Sequence, residues 1–113
     1  MARFQVVVLT RAVEGRRDEL ARWYDAEHIP DHLRVPGFMS GTRFTVNKLD
    51  APTDLLDWDF MAVYELETDD PAAVIAEARR RLGTAEMPVS PALDMSQTIA
   101  VLTTPAFSST PTP

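Results

Sequence analysis

Hydrophobic and polar positions alternate along this chain in two different periods, and the switches between them divide it into six elements. The run Arg3-Phe-Gln-Val-Val-Val-Leu-Thr10 is rich in β-branched residues and predicts a buried strand. After the turn signal Glu14-Gly15, Leu20, Trp23 and Tyr24 fall at i, i+3 and i+4, while Arg16, Arg17, Asp18, Glu19 and Arg22 lie off that stripe. This predicts an amphipathic helix from Arg16 to Glu27 with one aromatic face. Pro30 disfavours a helical Ile29, so the helix is expected to stop near His28, with Pro30-Asp31-His32-Leu33 forming a separate turn. Phe38 to Asn47 reads as the second strand, with Phe38, Ser40, Thr42, Phe44 and Val46 on one face and Met39, Gly41, Arg43 and Thr45 on the other. Lys48 to Asp57, containing Ala51-Pro52-Thr53, reads as a polar loop.

The third strand, Trp58 to Glu65 or Leu66, alternates Trp58, Phe60, Ala62 and Tyr64 against Asp59, Met61, Val63 and Glu65. Asp69-Asp70-Pro71 is an acidic cap followed by proline at the first helical position, and Gly83 ends the helix that follows. Thr84 to Asp94 carries Pro88 and Pro91 and reads as loop, and Met95 to Thr103 as the last strand. The order β-α-β-β-α-β predicts an α+β, ferredoxin-like fold: a four-stranded antiparallel sheet with both helices on one face. One domain is expected over 1–103. Residues 104–113 form a Pro/Ser/Thr-rich tail of a kind that is ordinarily flexible, and its one strong anchor, Phe107, is a candidate to dock on a partner subunit.

Apolar residues occupy both faces of the first three strands, Phe4, Val6 and Val8 on one side of the first and Val7 and Leu9 on the other. A sheet wetted on its open face would be polar there. The second face therefore calls for a cover, and a second copy of the same sheet supplies it: a homodimer is expected.

Composition narrows the function. The 113 residues contain no cysteine, which excludes disulfides, thiolate metal sites and cysteine nucleophiles. A net charge of −6 argues against a nucleic-acid partner, Arg79-Arg80-Arg81 being the nearest approach to a basic patch. No apolar run approaches the ~18 residues of a membrane span and no secretion leader is evident, so a cytoplasmic protein is expected. The glycines at 15, 37, 41 and 83 are scattered and form no phosphate loop, and no cofactor is assigned.

The candidate chemistry lies in Trp23-Tyr-Asp-Ala-Glu-His28-Ile-Pro-Asp-His32, which holds both histidines. Leu20, Tyr24 and His28 step by four, so His28 continues the buried stripe, and imidazole suits proton transfer near neutral pH. Asp25 and Asp31 are the candidates to orient it, with Tyr24 as a further catalytic group; an ordinary helix-end histidine packed on core aromatics fits the same pattern. His32, beyond Pro30, reads as part of a solvated turn at the edge of the site. The two histidines have the spacing of a metal pair, but Pro30 interrupts the helix that would aim them together, and no metal is assigned. Arg43, on a small-residue strand face, is the candidate carboxylate or carbonyl anchor, or else the cross-strand partner of Glu65. Trp23, Phe44, Trp58 and Phe60 are the expected walls of a flat-ring pocket, and Tyr64 presents a phenol to it.

Trp23-Tyr24-Asp25-Ala26-Glu27-His28-Ile29-Pro30-Asp31, followed by Val35-Pro36-Gly37-Phe38, resembles the dimeric α/β-barrel superfamily, and within it the EthD-like branch. The resemblance covers about residues 3–103. It implies sheet-to-sheet dimers with a cleft between sheet and helices, transfers the motif histidine onto His28, and makes Trp23 and Tyr24 pocket wall or core. Superfamily members include cofactor-free cyclases, dehydratases, decarboxylases and isomerases of aromatic or polyketide-like compounds, and also haem-binding enzymes. The expected function is thus a small cofactor-independent lyase or isomerase using histidine acid–base chemistry on an aromatic or carbonyl metabolite. The alternatives are a non-catalytic accessory protein that binds a hydrophobic metabolite, and a haem enzyme with His28 or His32 as axial ligand.

Overall fold

The computed structural model describes residues 1–50 and 57–112. Its elements are β1 (Ala2–Ala12), α1 (Arg17–Trp23), a π-helical turn (Tyr24–His28), α2 (Ile29–Leu33), β2 (Phe38–Thr45), β3 (Phe60–Thr68), α3 (Pro71–Arg81) and β4 (Leu93–Thr103). The four strands form one antiparallel sheet in the order β2-β3-β1-β4, the ferredoxin-like arrangement expected from the order of elements. The predicted Ala51-Pro52-Thr53 loop lies outside the described residues. No helix among those described is long and apolar enough to cross a membrane.

The first helix does not stop at His28. It continues through Pro30 to Leu33, because the backbone widens into a π turn in which the Ile29 N–H donates to the Tyr24 carbonyl. The extra residue in that turn brings Pro30 in at the start of α2, where its missing donor costs nothing. The phase of the chain changes with it, and His32 is carried onto the sheet side. α3 follows its sequence signals: the Asp70 carboxylate accepts from the Ala73 N–H at 3.1 Å, Pro71 is its first residue, and Gly83 turns the chain with φ +82°.

β2 departs from simple alternation. Phe38 pairs with Leu66 and Ser40 with Glu65, so Met39 is an extra residue, bulged outward and 61% exposed. Beyond the bulge the faces are exchanged relative to the expected pattern. Gly41, Arg43 and Thr45 pair with Tyr64, Ala62 and Phe60 and share their helix-covered side, while Phe44 pairs with Met61 on the other. β3 begins at Phe60 rather than Trp58, since the Asp59 N–H bonds to the Thr10 carbonyl and its carboxylate accepts from the Ala12 N–H.

The core lies between helices and sheet, where Leu20, Tyr24, Tyr64, Leu66 and Met87 are fully buried. Gly41 permits the helix to lie this close: a Cβ there would meet Ile29 Cγ2 at 2.8 Å and the Tyr64 ring at 3.0 Å. The opposite face is apolar and open. Its register rows run Phe44–Met61–Leu9–Ile99 and Val63–Val7–Val101, with Phe44, Ile99 and Val101 each nearly half exposed. Residues 104–112 carry no regular structure, and Phe107 is exposed.

Candidate functional site

Between the helices and the β1–β4 side of the sheet lies a cavity of about 290 Å³, at the lower end of the usual size for small-molecule pockets. The first helical segment contributes Trp23, Tyr24, His28 and His32, β1 contributes Val6, Val8 and Thr10, and β3 contributes Tyr64. The far wall comes from α3 and β4, through Ile75, Ala78, Arg79 and Leu82 and through Thr98, Ala100 and Leu102. Most of this surface is apolar, which favours a ligand with a hydrophobic body.

The polar groups on the wall form a chain of stacked rings. His28 lies on Trp23 with centroids 4.0 Å apart and planes at 21°, and Tyr24 meets it edge-on at 5.6 Å. His32 meets His28 edge-on at 4.5 Å and stacks on Tyr64 at 4.5 Å and 26°. Two of these rings are tied down by hydrogen bonds: Trp23 Nε1 donates to the Pro88 carbonyl at 3.1 Å, and Tyr24 shares a 2.7 Å bond with the Thr10 hydroxyl. His32 Nδ1 lies 2.9 Å from the His28 carbonyl. A carbonyl only accepts, so in neutral His32 the proton sits on Nδ1 and Nε2 carries the lone pair. With Nδ1 turned to its own helix, Nε2 faces away from it.

Two buried polar atoms have no hydrogen-bond partner among the described residues: His28 Nδ1 and Tyr64 Oη. Each such atom costs about 1–3 kcal/mol of stability, and both belong to residues on the cavity wall. Neither atom has accessible surface here, so a ligand with its own donor or acceptor would satisfy them only after a small shift of the wall.

Burial sets the protonation of these groups. It drives His28 far below the ordinary imidazole value, to about 3, with the neighbouring His32 adding to the effect. His32 is lowered too, again by burial, against the opposing pull of its bond to the His28 carbonyl and of the Asp31 carboxylate. Burial raises the Tyr64 phenol, and nearby Tyr24 adds to that; burial also raises Tyr24, opposed by Thr10 and Arg43. At neutral pH the imidazoles are uncharged and both phenols keep their protons.

Several of the residues singled out from sequence stand elsewhere. Asp25 does not reach His28: both its carboxylate oxygens accept from Arg43, at 2.8 Å each, and this pairing holds the carboxyl below its ordinary value. Arg43 is thereby engaged, with its guanidinium 4.9 Å over the Phe60 ring rather than on the cavity wall or against Glu65. Asp31 is buried and paired with Arg34. Phe44 is on the opposite sheet face because of the Met39 bulge, and Trp58 and Phe60 do not line the cavity. His32 corrects the expectation in the other direction: it is no solvated turn residue but lies within the ring chain, aimed with His28 across the proline. Among the described residues no third metal-ligating side chain joins the pair.

The α3 and β4 walls were missed in the sequence, although Ile75, Ala78, Arg79 and Leu82 recur at i, i+3, i+4 and i+7, the signal of one helix face.

No family model matches the chain, and no curated protein matches it. Among solved structures it is similar to an ethyl tert-butyl ether D (EthD) family protein from Bacillus halodurans C-125, with a TM-score of 0.52 at 12% sequence identity. That likeness covers 92% of this chain and 99% of the other. At such identity it speaks for architecture and not for chemistry. The chain has a ferredoxin-like fold, similar to that of this EthD family protein.

Proposed function

We propose that this protein is a small enzyme of lyase or isomerase type, moving a proton on a flat, largely apolar carbonyl compound held in the cavity. The observation that carries this reading is the pair of buried, unpartnered polar atoms, His28 Nδ1 and Tyr64 Oη, on residues of a largely apolar wall, which a ligand reaches once that wall shifts. Within it the proton passes through His32 rather than His28. His32 is locked in the tautomer whose Nε2 can accept, whereas His28, at about 3, is too weak a base and serves as a neutral hydrogen-bonding partner. His32 Nε2 takes a proton from the carbon beside the carbonyl. The Tyr64 O–H, kept protonated by burial, donates to the carbonyl oxygen as it gains negative charge. Return of the proton to another carbon completes an isomerisation; loss of a group from the adjacent carbon completes an elimination.

The same reading includes a homodimer whose two open sheet faces cover each other. What supports it is the pair of apolar rows through Leu9 and Val7.

The test is deuterium exchange into 2-tetralone, an enolisable aryl-fused ketone, followed by NMR in heavy water. The protein is expected to accelerate exchange, with the acceleration lost in His32→Gln. Binding of the ketone with no acceleration over buffer overturns the catalytic role and assigns the cavity to metabolite capture.

A further inference from the structure

The cavity has a single arginine on its wall. Arg79 lies one helical turn after Ile75 and beside Ala78 and Leu82, on the α3 face that lines the cavity. Its neighbours in the arginine triplet are engaged. Arg80 pairs with Glu77 at 2.7 Å and Glu86 at 3.7 Å, and Arg81 pairs with the same two residues at 2.7 and 3.6 Å. Among the described residues Arg79 has no carboxylate within ion-pairing distance, and no aspartate or glutamate lines the cavity.

On a surface helix charge goes to the water side, and α3 keeps to that pattern at the edge of the cavity. On α3 the exposed positions are Ala72, Ala73, Ala76, Arg79 and Arg80, and of these Arg79 is the one that also borders the apolar cavity, so its guanidinium stands at the solvent-facing rim. In a chain of net charge −6, a cavity wall holding one cation, two uncharged imidazoles and no acid attracts an anion. The planar guanidinium offers a fork that matches a carboxylate in two parallel hydrogen bonds. Arg43, the anchor suggested by the sequence, is unavailable for this task because Asp25 already fills its fork.

We propose that Arg79 binds a carboxylate on the ligand at the rim of the cavity, so that the compound taken there is a flat aromatic or carbonyl acid. This rests on the reading that the cavity is the ligand site. It adds the charge of the ligand and the residue that selects it. The acid group sits at the α3 rim while the apolar body extends toward Trp23 and Tyr64.

Calorimetric titration with naphthalene-2-carboxylate and naphthalene-2-carboxamide, nearly identical in shape and different in charge, tests it. At low salt the protein is expected to bind the acid about tenfold more tightly than the amide. Arg79→Gln should abolish that preference by weakening the acid alone, while Arg80→Gln keeps it. Equal binding of the two probes by the unaltered protein, or a preference that survives in Arg79→Gln, overturns the anchor. Ala100→Trp, which fills the cavity from an exposed position of β4, separates this from the underlying reading. Probes that bind and are displaced by that substitution leave the cavity as the ligand site even if the anchor fails. Probes that do not bind, or that ignore Ala100→Trp, overturn both.

Discussion

His28 and His32 meet edge-on at 4.5 Å across a proline, joined by the hydrogen bond from His32 Nδ1 to the His28 carbonyl. The π turn makes this possible, and burial leaves both rings uncharged. Such an arrangement has a thermodynamic consequence. The unfolded chain protonates His28 near its ordinary 6.5, whereas the folded chain resists until about 3. Between those values the unfolded state binds more protons, so stability is full above 6.5 and falls as the pH drops toward 3, at up to about 1.4 kcal/mol per pH unit for each such histidine. His32 acts in the same direction. Urea unfolding from about pH 7 down to about pH 4 should show this slope, and His28→Phe should flatten it. A slope unchanged in that variant contradicts a neutral, buried His28.

The Thr10–Tyr24 hydrogen bond is a second buried commitment. Both residues are almost fully buried and the bond is 2.7 Å. Thr10→Val leaves the phenol unpaired next to the cavity and should cost about 1–3 kcal/mol in denaturant unfolding. A cost within error of zero means the phenol finds another partner.

Gly41 is expected to tolerate no side chain. A Cβ would sit 2.8 Å from Ile29 Cγ2 and 3.0 Å from the Tyr64 ring, both beside the paired histidines. Gly41→Ala should therefore destabilise the fold by about 1–3 kcal/mol and displace the aromatic signals of Tyr64 and His32 in NMR spectra. Unchanged stability with unmoved signals would show that the helix has room to retreat.

On the open sheet face, Ile99 and Val101 lie in register with Leu9 and Val7. Ile99→Glu places a charge in the middle of the proposed dimer contact and should yield a folded monomer in sedimentation equilibrium, where the unaltered protein runs as a dimer. A monomer before any substitution rules out the sheet-to-sheet pairing.

The architecture was legible because it rests on period. The strand alternation of Phe60, Ala62 and Tyr64, the Leu20–Trp23–Tyr24 stripe and the Asp70-Pro71 cap each carry a local physical signal, and together they dictate the order of elements. What escaped was phase. A one-residue bulge at Met39 leaves no mark in a sequence whose aromatics, Phe38 and Phe44, keep the same parity; only pairing with β3 reveals that they face opposite ways. Pro30 reads locally as a stop, and it becomes compatible with a continuing helix only through the extra residue of a π turn. Of three consecutive arginines, the one that faces the cavity is set by how α3 docks on the sheet, which no property of the triplet encodes. The candidate site was thus half legible. Trp23, Tyr24, His28, His32 and Tyr64 come together, while Asp25, Asp31, Arg43, Phe44, Trp58 and Phe60 serve elsewhere in the molecule.

Two uncharged imidazoles underlie the proposed chemistry, with His32 held as the Nδ1–H tautomer and its Nε2 left to accept. Long-range proton–nitrogen NMR spectra of the histidine side chains read this directly. Expected at neutral pH is a protonated Nδ1 and an unprotonated Nε2 in His32, with neither ring gaining a second proton as the pH falls through 6.5. A His32 protonated on Nε2 instead, or a pair of histidines that titrate at the ordinary imidazole value, would contradict it.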